Sequence, residues 1–184
     1  VFRNTSTLGV LSFATKTDFT TGVNPYSVSL GDIDCDGKPD LASANQGSND
    51  ASVLLNTSTS GLLNFATKVD FATGTTATSV SIGDINGDGK ADLAVANYNS
   101  NNVSIYSNTS TIGTVSFATK VDLVTGTNPL AVIIGDVDGN GRPDLVVANF
   151  GGSTASIFRN TSTSSAVSFA AKVDITTGSA PISV

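Results

Sequence analysis

Hydrophobic and polar residues alternate over short stretches of the chain. In Ser79-Val-Ser-Ile-Gly83, Val80 and Ile82 fall on one face, the signature of a half-buried strand. Leu93-Ala-Val-Ala-Asn97 alternates large with small and predicts a second strand. Asn102-Val-Ser-Ile-Tyr-Ser107 predicts a third, and Val115-Ser-Phe-Ala-Thr-Lys-Val-Asp-Leu123 a fourth. No window carries the 3.6-residue period of a helix. Short strands separated by Gly, Asn and Pro turns predict an all-β sandwich, barrel or propeller.

The pattern repeats every 52 residues. Asn4, Asn56, Asn108 and Asn160 each open an Asn-Thr-Ser-Thr turn, and Lys16, Lys68, Lys120 and Lys172 recur at the same interval, as do Asp18, Asp70, Asp122 and Asp174. Four strands per ~50 residues is the blade of a β-propeller, whose stacked sheets bury both faces. Val80, Ile82, Leu93, Val95, Val103, Ile105 and Phe117 are the expected packing residues. Blades are expected at about 23–74, 75–126 and 127–178. A partial blade at 1–22 would hold a third and a fourth strand, and 179–184 would form a first strand. Beginning and ending in mid-repeat, the chain reads as a piece of a longer polypeptide.

One nine-residue stretch occurs three times: Asp32-Ile-Asp-Cys-Asp-Gly-Lys-Pro-Asp40, Asp84-Ile-Asn-Gly-Asp-Gly-Lys-Ala-Asp92 and Asp136-Val-Asp-Gly-Asn-Gly-Arg-Pro-Asp144. Carboxylates or amides stand at positions 1, 3, 5 and 9, with Gly at position 6. Oxygen side chains on alternate residues of a curling loop converge on a point that suits a hard cation such as Ca²⁺. The glycine permits the turn, and the carbonyl of position 7 is a further ligand. Asp, Asn and Gly also build ordinary turns. A turn, however, needs one or two such residues, and clustered carboxylates repel by ~1 kcal/mol per pair at 4 Å even in water.

Composition sharpens this picture. All 15 acidic residues are Asp, ten of them in the three loops, and the formal charge is −6, which three Ca²⁺ would cancel. Nine dispersed Lys and Arg make no basic patch, so nucleic acid is not an expected partner, and no stretch is apolar enough to insert into a membrane. The lone Cys35 has no disulfide partner. With no His and no Glu, general acid–base work would fall to Asp, and the chain is expected not to be an enzyme.

Loops with flanks such as Ser81-Ile-Gly-Asp-Ile-Asn-Gly-Asp-Gly-Lys-Ala-Asp-Leu93 resemble the FG-GAP (VCBS-type) repeats of integrin-α-like β-propellers, in phase along the whole chain. The resemblance implies a calcium ion in the hairpin between the first two strands of a blade, in a ring that commonly has seven blades. Its ligands would be Asp32, Asp34, Asp36 and Asp40 with the carbonyl of Lys38; Asp84, Asn86, Asp88 and Asp92 with that of Lys90; and Asp136, Asp138, Asn140 and Asp144 with that of Arg142. Asn86 and Asn140 replace charged ligands, so their loops should bind more weakly than the first.

The expected function is a calcium-stabilised extracellular or cell-surface adhesion module that binds a protein, with calcium structural. The alternatives are a lectin-like propeller binding glycans between blades, or a non-catalytic part of a secreted polysaccharide-acting enzyme. Self-association to complete the ring is a further option. The segments that vary among repeats are 46–50, 98–102 and 150–154, and Tyr98 and Phe150 open two of them. Asn102 and the four repeated Asn-Thr-Ser turns are formal glycosylation sequons, but repetition at a turn favours a turn role over a glycan.

Overall fold

The computed structural model describes all 184 residues. Twelve strands form three four-stranded antiparallel sheets, each a simple meander. The first sheet holds β1 (Pro25–Gly31), β2 (Asp40–Asn45), β3 (Asp50–Leu54) and β4 (Val69–Ala72). The second holds β5 (Ala77–Gly83), β6 (Asp92–Asn97), β7 (Asn102–Tyr106) and β8 (Val121–Val124). The third holds β9 (Pro129–Gly135), β10 (Asp144–Asn149), β11 (Thr154–Phe158) and β12 (Val173–Thr176). No helix is present. These are the blades of a β-propeller, stacked face to face, with β1, β5 and β9 adjacent along the inner side.

The core lies between blades. Ala42, Ala44, Ala51 and Val53 of the first blade meet Val80, Leu93, Val95 and Tyr106 of the second. Ala94, Ala96, Val103 and Ile105 of the second meet Val132, Leu145, Val147 and Phe158 of the third. Strand alternation thus has a direction: β6 turns Leu93 and Val95 toward the preceding blade and Ala94 and Ala96 toward the following one. Small residues on one face receive large ones from the next, which lets the sheets approach without voids. The first two blades come close at Gly31, where a Cβ would stand 2.5 Å from an Ile82 methyl.

A second layer of each blade is polar, and sequence reasoning saw only part of it. Lys68–Asp70, Lys120–Asp122 and Lys172–Asp174 are ion pairs on the outermost strands, as the two-residue spacing implies. Each Asp also accepts from a buried Ser hydroxyl: Ser52, Ser104 or Ser156, all at 2.6 Å. The same hydroxyls accept from Asn45, Asn97 and Asn149 at 2.9, 2.9 and 2.8 Å. A chain of hydrogen bonds therefore crosses every blade from rim to interior. Its signal was present in the sequence as Asn and Ser recurring at the repeat interval.

The strands differ from expectation at three places. The fourth strand is Val121–Val124, not Val115–Leu123. Beyond Ile105↔Val121 the ladder stops, and residues 108–117 form a separate small hairpin with isolated bridges Asn108↔Phe117 and Thr111↔Thr114. This hairpin leans on the preceding blade, where Phe117 stacks edge-on against Phe71 at 4.9 Å. Residues 1–22 carry only the bridges Asn4↔Phe13 and Thr7↔Val10, and 179–184 form no strand. A strand needs a paired neighbour, and these segments have no second strand within the 184 residues.

Candidate metal centre

Each acidic loop is the hairpin between the first and second strands of a blade: 32–39, 84–91 and 136–143. The position-6 glycines have φ of 86°, 86° and 82° at Gly37, Gly89 and Gly141, the left-handed turn that only glycine adopts without strain. The carboxylate at position 1 gathers loop amides. Asp84 accepts from Gly87 (2.8 Å), Asp88 (3.1 Å) and Gly89 (2.9 Å), and Asp136 does the same for Gly139, Asn140 and Gly141. In the first loop Asp32 takes the amides of Asp36 and Gly37.

The carboxylates of Asp32, Asp34 and Asp40 each place an oxygen within 4.8 Å of the others, as do those of Asp136, Asp138 and Asp144. Oxygens held at 2.3–2.6 Å from one Ca²⁺ are at most about 5 Å apart, so both triads fit a single ion. Asp36, the position-5 residue of the first loop, ion-pairs with Lys38 at 2.6 Å. In the second loop position 3 is the neutral Asn86, which donates to Asp88 at 3.2 Å. In the third loop Asn140 accepts the Arg142 amide at 2.9 Å. Three carboxylates thus converge in the first and third loops, while the second has the neutral Asn86 at the corresponding position.

Position 9 has two tasks. Asp92 is fully buried and accepts from the amides of Ile85 (2.9 Å), Asn86 (3.3 Å) and Asn108 (2.8 Å). Burial nevertheless pushes its pKa up to about 6, and burial likewise raises that of Asp40. A carboxyl raised on folding stabilises the fold while protonated, and that contribution is lost as pH climbs from the ordinary value near 3.8 to about 6. A bound cation would reverse the penalty. In EDTA, melting is therefore expected to be higher at pH 4.5 than at pH 7, and millimolar calcium should abolish or invert that order. Parallel pH profiles with and without calcium would refute this.

The Asn-Thr-Ser-Thr turns fasten the loops across blades. Asn108 donates to Ile33 O of the preceding loop at 2.8 Å and to Ala91 O of its own at 2.7 Å, and Asn160 does the same to Ile85 O and Pro143 O at 2.7 and 2.6 Å. Both are buried, with their side-chain nitrogens committed, so the turn role expected for them holds. In the first loop Asp34 adds a second tie, accepting the Gly113 amide at 2.7 Å. Motif reading did not give these asparagines a part in the loop.

Cys35 occupies position 4 with φ of 63°, where Gly87 and Gly139 have 75° and 74°. A side chain in this region costs about 1–2 kcal/mol. Cys35→Gly should raise stability by about 1 kcal/mol and let the position-4 amide reach Asp32. Denaturant unfolding of the two proteins measures it, and a destabilised variant would contradict the strain.

A sequence model for the FG-GAP-like repeat matches residues 1–43, 36–95 and 84–147. The structure of a candidate 6-phosphogluconolactonase from Bacteroides fragilis aligns with a TM-score of 0.61 at 19% identity, over 91% of this chain and 43% of that one. A protein from Lactobacillus plantarum aligns with a TM-score of 0.56 at 13% identity, over 95% of this chain and 48% of that one. The chain therefore spans less than half the length of either, and at such identities the likeness carries the fold alone. No curated protein matches the sequence. The expectation that the chain is not an enzyme is overturned, because the same fold occurs in a protein assigned a lactonase activity. Lack of His and Glu here is no ground for excluding catalysis.

Proposed function

The chain belongs to the FG-GAP-like repeat family, and from that premise we propose that it is a calcium-stabilised β-propeller binding module acting outside the cell or at its surface. The observation that carries this reading is the convergence of three carboxylates in the first loop and three in the third, at a spacing one Ca²⁺ can satisfy. Calcium there is structural. Its ligands lie on hairpins that the Asn108 and Asn160 clasps bind to neighbouring blades, so an ion that orders a loop also orders a seam between sheets. Extracellular calcium modules of this affinity class, roughly 10⁻⁴–10⁻³ M, are filled outside cells and empty in cytosol. Binding of a protein or glycan partner, as in adhesion, would fall to the loops at the opposite end of the blades, which differ among the repeats.

Calorimetric titration of the whole chain tests the metal sites. Two stronger sites and one weaker are expected, with Asp32→Asn and Asp136→Asn each removing one of the stronger pair and Asp84→Asn leaving both. The first loop, with a carboxylate at every side-chain ligand position, should be the tightest. Three equal sites, or no heat of binding at millimolar calcium, would count against the assignment.

A further inference from the structure

The end of the propeller opposite the acidic loops carries a cavity of about 350 Å³, lined by Tyr26, Gln46, Thr78, Tyr98, Leu130 and Phe150. Such a volume lies within the ~300–1,000 Å³ of small-molecule sites. Its lining follows the repeat. Tyr26, Thr78 and Leu130 are one position of the three blades, near the start of the first strand. Gln46, Tyr98 and Phe150 are another, the first residue after the second strand. Each blade thus gives one pair of side chains to a single concavity.

Three of those six side chains are aromatic and accessible. Tyr26 is 57% exposed, Phe150 is 36% exposed, and Tyr98 is half-buried, its ring 6.3 Å from that of Phe150 at an interplanar angle of 46°. The backbone beneath them is fixed. The amides of Gln46, Tyr98 and Phe150 donate to the carbonyls of Asn24, Thr76 and Asn128 at 3.0, 2.9 and 2.9 Å. Those three acceptor residues have φ of 51°, 64° and 52°, and Thr76, being β-branched, is a marked outlier there. Of the eight non-glycine residues with positive φ, only Cys35 lies at the acidic-loop end. Backbone strain held in place by hydrogen bonds, beside a cavity, is a common mark of a functional site.

We propose that this cavity binds a neutral carbohydrate. No charged side chain lines it, so a phosphate or carboxylate would find no counter-charge. Aromatic rings offer flat faces to the C–H side of a pyranose, while the Gln46 amide and the phenols can meet its hydroxyl groups. An apolar peptide would leave those polar groups unpaired. The site is distinct from the seams between blades where a lectin-like propeller was expected to hold glycans, and it rests on the binding half of the function proposed above.

Saturation-transfer NMR on the whole chain, in calcium and in EDTA, tests the proposal with four neutral tetraoses built on glucose (α- and β-linked), N-acetylglucosamine and mannose. Tetragalacturonate serves as the charged comparator. At least one neutral tetraose should show enhancement and the charged one none, and Tyr26→Ala and Tyr98→Ala should each weaken binding at least tenfold. Tyr26 is too exposed for its loss to unfold the chain, and Tyr98→Phe should retain stacking and most of the affinity. Absence of enhancement from every neutral tetraose, or binding unchanged in both alanine variants, would overturn the proposal. If melting still rises with calcium in that case, the metal assignment survives. If sugar binds while melting ignores calcium, the metal assignment falls and this one stands.

Discussion

Chelating calcium is expected to lower the melting temperature of the chain by on the order of 10 °C. A ligand present at ~2 mM with a dissociation constant near 10⁻⁴ M stabilises the state it binds by about 2 kcal/mol per site. The first and third loops together then contribute about 4 kcal/mol, and in a chain of this size each kcal/mol moves melting by about 2–4 °C. The physical source is the Asp triads, whose charges stand within 4.8 Å of one another and have few cations to offset them. Lys38 ion-pairs directly with Asp36, and Lys90 turns away to the Ser110 carbonyl at 2.8 Å. Scanning calorimetry with calcium, magnesium and EDTA measures the effect. Magnesium should substitute poorly, since it demands octahedral geometry that these loops were not shaped to give. A melting temperature indifferent to EDTA would remove calcium from the account of the fold.

Replacing Asn108 or Asn160 by Ala is expected to destabilise the chain by about 3–5 kcal/mol. Either change strips one buried and one partly buried carbonyl of its donor and also removes the acceptor of a buried amide two residues on, that of Ser110 or Ser162. Each buried group left unpaired costs about 1–3 kcal/mol. The repeat supplies its own controls. Asn56 donates only to the Pro39 carbonyl at 2.8 Å, an exposed bond within its own blade, and Asn4 only accepts from Ser6. Asn56→Ala should therefore cost about 1 kcal/mol, and Asn4→Ala less. Urea unfolding of the four variants gives the series. Equal losses at all four positions would mean that the turn matters and the bridge between blades does not.

Much of this architecture was legible in the residues. The alternation of Leu93-Ala-Val-Ala and the repeat interval suffice for the strands and blades, because the period-2 pattern and a four-strand unit leave few other ways to bury both faces. The position-6 glycines and converging oxygens were legible for the same reason: loop geometry is local. What escaped were properties of contacts distant in sequence. Nothing in Val115–Lys120 announces that the chain leaves the ladder after Val121 pairs, since its alternation suits a small hairpin as well as a strand. Asn108 reads as a turn residue, and its bond to Ile33 spans 75 positions. The cavity at the far end needed Tyr26, Tyr98 and Phe150 to be brought together from three blades, and only Tyr98 and Phe150 attract notice in sequence.

The directional faces of the sheets bear on how such a protein changes over time. Since every unit offers a shallow side to its successor and a bulky side to its predecessor, a copied segment of 52 residues arrives with both mating surfaces already suited to its neighbours. Lengthening by duplication then requires no invented contact, and a seam damaged by mutation can be repaired by borrowing sequence from any other turn of the array. At the rim opposite the acidic loops the corresponding residues Gln46, Tyr98 and Phe150 already differ, so that end has drifted while the seams have kept their pattern.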